Sequence, residues 1–247
     1  MVKRFLKLFN LTKVPALAVE MYNQVSRAAT GDFYSHVADE IVDEAKRLGI
    51  KRVLDVGTGP GYLPLNIVRR SQDLRVIGVD INEKMINTAR QNAIEFKVSP
   101  KRVYFAVANA ERLPVYENEF DLIVSTEVLH HVQEPVKMLN QIHRALKPGG
   151  KAWIYDTTSD VSTMHLETHL DQMRKRLQAG KMNRTNASWV TLLRKREILF
   201  DSHSIRELAE ILEKSKFKQF HFHREGVWVR MTVEKERVPF PERKGVR

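Results

Sequence analysis

Two groups of residues in this chain have the types and spacing to do chemistry. In the first, VLDVGTGPGYL, an apolar run reaches Asp55 and is followed by Gly57, Thr58, Gly59 and Gly61, with Asp80 nineteen residues beyond. Glycine lets a ligand approach the main chain, and a helix that follows directly offers free N–H groups to negative charge. A carboxylate such as Asp80 at the end of the next strand can accept hydrogen bonds from both hydroxyls of a ribose. The second group is the pair His130 and His131, just past a further apolar run. An imidazole titrates near neutrality and suits general-base duty; the alternative is a hydrogen-bonding residue at the start of a helix.

The glycine spacing excludes two common nucleotide sites. A dinucleotide turn needs G-x-G-x-x-G, and Tyr62 stands where its third glycine would be. A phosphate loop of the form G-x-x-x-x-G-K-[ST] is absent, which argues against ATP hydrolysis. The chain has no cysteine, which closes off disulfides, thiolate metal sites, cysteine nucleophiles and iron–sulfur chemistry. No histidine–carboxylate cluster stands out along the sequence, so no metal site is expected, and a catechol-type magnesium site is not supported.

The elements that must position these residues alternate. Apolar spacing predicts a helix over 33–48, stopped by Gly49, then strands and helices in turn. Strands are expected at 51–56, 75–79, 103–107, 120–125 and 151–156, with helices at 62–70, 83–96 and 134–146, the last running into Lys147-Pro148-Gly149-Gly150. Such alternation indicates a doubly wound α/β sheet, mostly parallel. It lapses for about forty residues after Asp156. Ser204 and Glu207 then form a capping-box signal, and two strand-like runs, 218–223 and 227–233, flank Glu225-Gly226 as a hairpin. The expected fold is a Rossmann-like seven-stranded sheet with a C-terminal antiparallel hairpin and helices on both faces. The expected organisation is a helical extension or lid over 1–35, a ligand-binding core over 36–156, and a variable basic cap over 157–200. A last helix and hairpin over 201–236 and a tail over 237–247 complete it.

With those elements in place, the chain resembles the class I S-adenosylmethionine-dependent methyltransferases, in particular the small-molecule branch of ubiquinone/menaquinone type. The resemblance covers about residues 36–156 and rests on four stretches in order: VLDVGTGPGYL, VIGVDINEKMI, ANAERLPVYENEFDLIVSTEVLHHV and ALKPGGKAWI. It implies S-adenosylmethionine as cofactor and S-adenosylhomocysteine as product. The loop from Asp55 through Thr58 to Gly61 would hold the methionine part, and Asp80 the ribose. Ile81 and Met85 would pack on the adenine faces, and Asn109 and Ala110 would meet its edge. Many relatives look to have an aspartate where Asn109 stands. Ser125 and Thr126 would lie beside the sulfonium. Glu127 would either offset its charge or face solvent. No Asn-Pro-Pro-Tyr or Asp-Pro-Pro-Tyr run follows the fourth strand, which argues against amino-group methylation of adenine or glutamine.

The acceptor is read less directly. A small molecule is the leading reading, with RNA methylation and a non-catalytic, cofactor-binding regulatory subunit as alternatives. The net charge of +11 suits either an anionic partner or a solubilising surface. The basic run from Arg174 to Arg196, with Trp189 inside it, fits an RNA-tracking surface with a stacking ring, or a solvated helix face with Trp189 in the core, which is favoured. Residues 1–14 interleave basic and apolar side chains, so peripheral membrane contact and docking on the domain are both open. Tyr22 and Tyr34 are expected in the core rather than as a lid. No run approaches the roughly 18 apolar residues of a transmembrane helix and no signal peptide is expected, while the lack of cysteine fits a cytoplasmic protein.

Overall fold

The computed structural model describes residues 31–180 and 182–237. The expectations for residues 1–14 and for Tyr22 therefore lie outside the described residues.

Helix α1 (Gly31–Leu48) buries Tyr34, Val37, Ala38, Ile41, Val42 and Ala45, the stripe that its 3.6-residue period lays along one face. Gly49, at φ 71°, ends it in a left-handed turn that a side chain would strain. The chain then enters β1 (Arg52–Val56), α2 (Tyr62–Arg70), β2 (Arg75–Asp80), α3 (Glu83–Glu95), β3 (Val103–Val107) and β4 (Phe120–Thr126). A single 3-10 turn (Leu129–His131) leads to α4 (Pro135–Ala145) and β5 (Leu146–Thr157). Two helices follow, α5 (Thr163–Ala179) and α6 (Arg184–Arg196), where the sequence pattern lapsed. A short π-helical turn (Glu197–Asp201), α7 (Ile205–Glu213), β6 (Phe220–Glu225) and β7 (Trp228–Glu234) complete the fold.

The seven strands lie in the order β3-β2-β1-β4-β5-β7-β6. All pairs are parallel except β5 with β7 and β7 with β6, the hairpin being turned at Gly226. Strands buried on both faces alternate between two cores. Val53, Leu122, Val124, Trp153 and Tyr155 face α1, α2 and α3. Leu54, Ile123 and Ile154 face α4 and α7 through Met138, Leu139, Leu208 and Leu212. Helix α7 begins with the capping box read from the sequence, Ser204 and Glu207 each satisfying the other's backbone N–H.

The hairpin strands run one to two residues later than expected, and two larger differences stand out. Strand β5 starts at Leu146, not at residue 151, because the Gly149 N–H donates to the Lys235 carbonyl and so takes Lys147-Pro148-Gly149-Gly150 into the strand. Trp189 is 61% exposed rather than in the core.

The feature that matters for function is where the strand order reverses. Chain direction runs outward from β1 through β2 to β3, and from β4 on the other side, so the crevice opens at the carboxyl ends of β1 and β4. Ser125 fastens that point, its hydroxyl donating to the Val56 carbonyl at 2.8 Å.

Candidate functional site

The glycine loop is shaped first by the chain itself. Gly57 has φ 78°, and a Cβ there would fall 2.0 Å from Val128 Cγ2. Gly61, which caps α2 at φ 81°, would place a Cβ 2.7 Å from Phe105 Cζ and 2.9 Å from Ala89 Cβ. Only glycine combines that backbone with that proximity. The bend brings Gly59 over the end of β2, where its N–H donates to Asp80 Oδ2 at 2.9 Å. Asp80 Oδ1 accepts from the Asn82 N–H at 2.8 Å. Asn82 caps α3 and Asn92 donates to the Pro60 carbonyl at 2.8 Å, so loop and helix hold one another.

Two carboxylates therefore sit close together under the loop. Burial raises the Asp80 pKa against the pull of the Asn82 and Gly59 N–H groups. Asp55 is pushed up to about 7 by burial, against the Thr58 hydrogen bond and with the Asp80 charge adding to it. The Thr58 hydroxyl donates to Asp55 Oδ2 at 2.6 Å, while Asp55 Oδ1 is buried with no partner among the described residues. An orphaned, buried carboxylate oxygen costs free energy until a donor reaches it. The pair thus fits a ligand carrying an ammonium group and a hydroxylated sugar, as S-adenosylmethionine does.

The remaining sequence-predicted residues lie along the same strand ends. Ile81 follows β2 and is 40% exposed; Met85 is buried on α3. Asn109 and Ala110 follow β3, which is paired with β2 so that Val107 lies beside Asp80. The Asn109 Oδ1 accepts from the Glu111 N–H at 2.8 Å, so its carbonyl already serves its own turn. Thr126 ends β4, buried, beside Tyr155 on β5. Tyr34 is buried in the core beneath.

On the other side of the crevice the fold assembles a polar cluster (His130, His131, Asp156, Glu197, Arg194 and Glu127). His130 is buried on the 3-10 turn. Its Nδ1 lies 2.5 Å from Asp156 Oδ1, and its backbone N–H donates to Asp156 Oδ2 at 3.0 Å. Its Nε2 faces Glu197 Oε1 at 3.3 Å, and His131 Nε2 lies 3.4 Å from that same oxygen. Arg194 Nη1 donates to Glu197 Oε2 at 2.6 Å, and Nη2 pairs with Glu127, which adopts φ 58°. Glu127 is thus neither free beside a sulfonium nor solvated, as the sequence reading had it, but held by the cap.

The two histidines are driven apart electrostatically. Burial disfavours charge on His130, but the Asp156 carboxylate, with Glu197 behind it, outweighs this and holds its pKa up at about 10. His131 is pushed down by burial and by the neighbouring His130 charge. Its side chain keeps 35% of its surface open, so solvent softens that push without reversing it. Glu197 sits well below the usual carboxylate range: burial opposes its charge, but the His130 hydrogen bond and the Arg194 guanidinium outweigh that. His130 is accordingly a fixed cation and His131 a neutral base.

Three of these residues were not read as site residues. Glu197 appears in the sequence only as the one acid opposing a basic run, and Arg194 only as a member of that run. Asp156 gave the same signal as Asp55 and Asp80, an aspartate closing a strand, and could have been found by it. The absence of a histidine–carboxylate cluster was an expectation of linear spacing; the fold corrects it by bringing Glu197 to His130 and His131.

Half of the basic run, four of its eight residues, is held in ion pairs, Arg194 by Glu127 and Glu197. Lys175 pairs with Asp171 at 2.8 Å, Arg176 with Asp32 at 2.8 Å and Lys195 with Glu167 at 2.6 Å. No helix among the described residues is long and apolar enough to cross a membrane.

Residues 49–198 match a family described as a methyltransferase domain. An uncharacterized methyltransferase of Bacillus subtilis is 35% identical over 111 residues, 44% of this chain and 59% of that protein. A ubiquinone/menaquinone biosynthesis C-methyltransferase of Rickettsia prowazekii is 33% identical over 117 residues, 46% of each chain. The chain thus spans about half the length of the curated relatives it matches. Among solved structures, the plantazolicin methyltransferase BpumL, crystallised with S-adenosylhomocysteine and a monoazolic desmethylPZN analog, superposes with a TM-score of 0.71 at 13% identity over 96% of both chains. A SAM-dependent methyltransferase of Aquifex aeolicus gives 0.61 at 20% identity, over 90% of this chain and 99% of the other. The family match spans more than half of the sequence, and the likeness in fold extends to nearly the whole of it: the chain belongs to the methyltransferase-domain family, with the fold of the class I S-adenosylmethionine-dependent enzymes.

Proposed function

We propose that this protein transfers the methyl group of S-adenosylmethionine to a small-molecule acceptor. The observation that carries the reading is the pair of carboxylates under the glycine loop, part-buried Asp80 aligned by Gly59 and Asn82 and buried Asp55 with an unpartnered oxygen. Asp80 takes the ribose hydroxyls, Asp55 and Thr58 the ammonium side of the methionine moiety, and Ile81 and Met85 the adenine faces. Asn109 and Ala110 meet the adenine edge, and Thr126 lies beside the sulfur. The bound sulfonium supplies an already activated methyl group, so the chain's task is to align the acceptor and exclude water.

The cap 157–200 closes the acceptor side. Arg194 and Glu197 reach from it to Glu127 and the histidine pair, which supports that placement. His130, held as a cation, orients the acceptor; His131, neutral, takes a proton from one that must lose it. Relatives named for ubiquinone and menaquinone biosynthesis support a small acceptor. The exposed Trp189 keeps RNA as a second reading, weakened by the ion pairs that engage part of the run around it.

The test is turnover. Incubation with methyl-labelled S-adenosylmethionine and fractionated cell extract is expected to label a low-molecular-weight species. Label in RNA, with binding that weakens steeply as salt rises, would favour the second reading. Cofactor binding with no label in any fraction would mark a non-catalytic cofactor-binding protein.

A further inference from the structure

We propose that His130 Nε2, His131 Nε2 and Glu197 Oε1 form a binding site for a divalent transition-metal ion. The three atoms lie within 4.8 Å of one another. Both imidazole nitrogens approach the same carboxylate oxygen, at 3.3 and 3.4 Å. Those distances exceed the roughly 2.7–2.9 Å of a charge-assisted hydrogen bond. They equal the edge of a tetrahedron, about 3.3–3.4 Å, around a metal with ligands at ~2.0–2.1 Å. The other oxygen of Glu197 closes to 2.6 Å on Arg194, so this carboxylate makes a short bond where a hydrogen bond is what it makes.

The hydrogen bonding of His130 points the same way. Asp156 Oδ1, at 2.5 Å, holds a proton of His130 on Nδ1 and turns Nε2 toward Glu197, where a metal ion would replace the second proton that the metal-free imidazolium carries. Carboxylate–histidine pairs of this kind orient metal-bound imidazoles. A single carboxylate oxygen then faces two imidazole nitrogens. One proton bridges one of them; one metal ion bridges both.

Two imidazoles and a carboxylate, with no thiolate, suit zinc, cobalt, nickel or iron(II) better than magnesium or calcium. Three protein ligands leave a coordination position for water or an oxygen of the acceptor, the pattern of a reactive site rather than a structural one. His131 and Glu197 keep 35% and 27% of their side-chain surface open, so that position is reached from solvent. The inference does not rest on methyl transfer and would survive its failure.

The experiment titrates chelator-treated, tag-free protein with Co2+. The expected result is one equivalent bound, with the visible absorption of a low-coordinate site, displaced by Zn2+. His131→Ala and Glu197→Gln should each weaken Co2+ binding about tenfold or more, and Asp156→Asn about 10–100-fold. His165→Ala, at an exposed site on α5, should leave it unchanged. S-adenosylhomocysteine binding, measured in the same samples, reports folding and tests the cofactor reading separately. In wild-type protein, with no variant needed, Co2+ should broaden the imidazole NMR signals of His130 and His131. Absence of any Co2+ or Zn2+ binding by wild-type protein would overturn the proposal. So would binding that His131→Ala and Glu197→Gln leave intact, or broadening confined to other histidines, both of which mark an adventitious ion only.

Discussion

The two walls of the crevice are built on different principles. The loop wall is local: Asp55, the three glycines and Asp80 come from one strand–turn–helix–strand unit, in which backbone N–H groups hold Asp80 and the Thr58 hydroxyl three residues on holds Asp55. The cap wall is long-range: His130 meets Asp156 across 26 positions and Glu197 across 67, and side chains hold side chains. A wall fixed by its own backbone should fail as a unit when the backbone is disturbed. A wall fixed by ion pairs should lose function piecemeal while the fold survives.

The largest effect should therefore come from the loop. Gly57→Ala forces a Cβ into Val128 at φ 78° and is expected to cost about 2–4 kcal/mol, combining overpacking with left-handed strain. Thermal unfolding should show a melting temperature lower by roughly 5–15 °C. An unchanged melting temperature would mean that the loop is not fixed by packing against Val128.

Next in size is the pH response of Asp55. Its carboxyl titrates higher in the folded than in the unfolded chain, so the folded state holds the extra proton from about pH 4 to about 7. That contribution to stability is full below the unfolded pKa and is lost as pH rises through 7. Asp55→Asn should remove the decline, making the variant relatively more stable at pH 8 than at pH 4 in parallel denaturant titrations. Wild-type cofactor affinity should rise as the pH passes 7, because an ionised Asp55 meets the ammonium; the variant should bind weakly at every pH. Parallel pH profiles for the two proteins would remove Asp55 from the site.

The cap wall predicts a separation of binding from turnover. Arg194→Met leaves Glu127 and Glu197 without their guanidinium, and methyl transfer should fall about tenfold or more while S-adenosylhomocysteine affinity stays the same. Loss of both together would make the two walls one unit. The smallest effect is expected at Trp189. Trp189→Ser, on an exposed face, should change stability by less than about 0.5 kcal/mol, as chemical denaturation would show.

The same contrast explains what could be read in the chain. The sheet, its hairpin and the loop were legible because a 2-residue or 3.6-residue period and turn residues mark them directly. Helix α6 was not, because its polarity is reversed: Trp189, Leu192 and Leu193 point outward, while Thr191 is buried and Arg194 turns inward to Glu127 and Glu197. An apolar stripe therefore marks the wrong face, and a basic run conceals an internal ion pair. The cluster at Glu197 was illegible for a simpler reason, since no local pattern links residues 67 positions apart. The close packing at Gly78, where a Cβ would lie 2.6 Å from Thr58 Oγ1, was hidden inside a strand that reads as continuous.

The central claim, that the crevice beneath the glycine loop holds the methyl donor, is tested most directly by calorimetric titration of wild-type and Asp80→Ala protein with S-adenosylhomocysteine. The account predicts binding to wild type and a loss of about 1–3 kcal/mol in the variant, the cost of leaving ribose hydroxyls unpaired. No heat with wild type, or equal affinity in the two proteins, would contradict it.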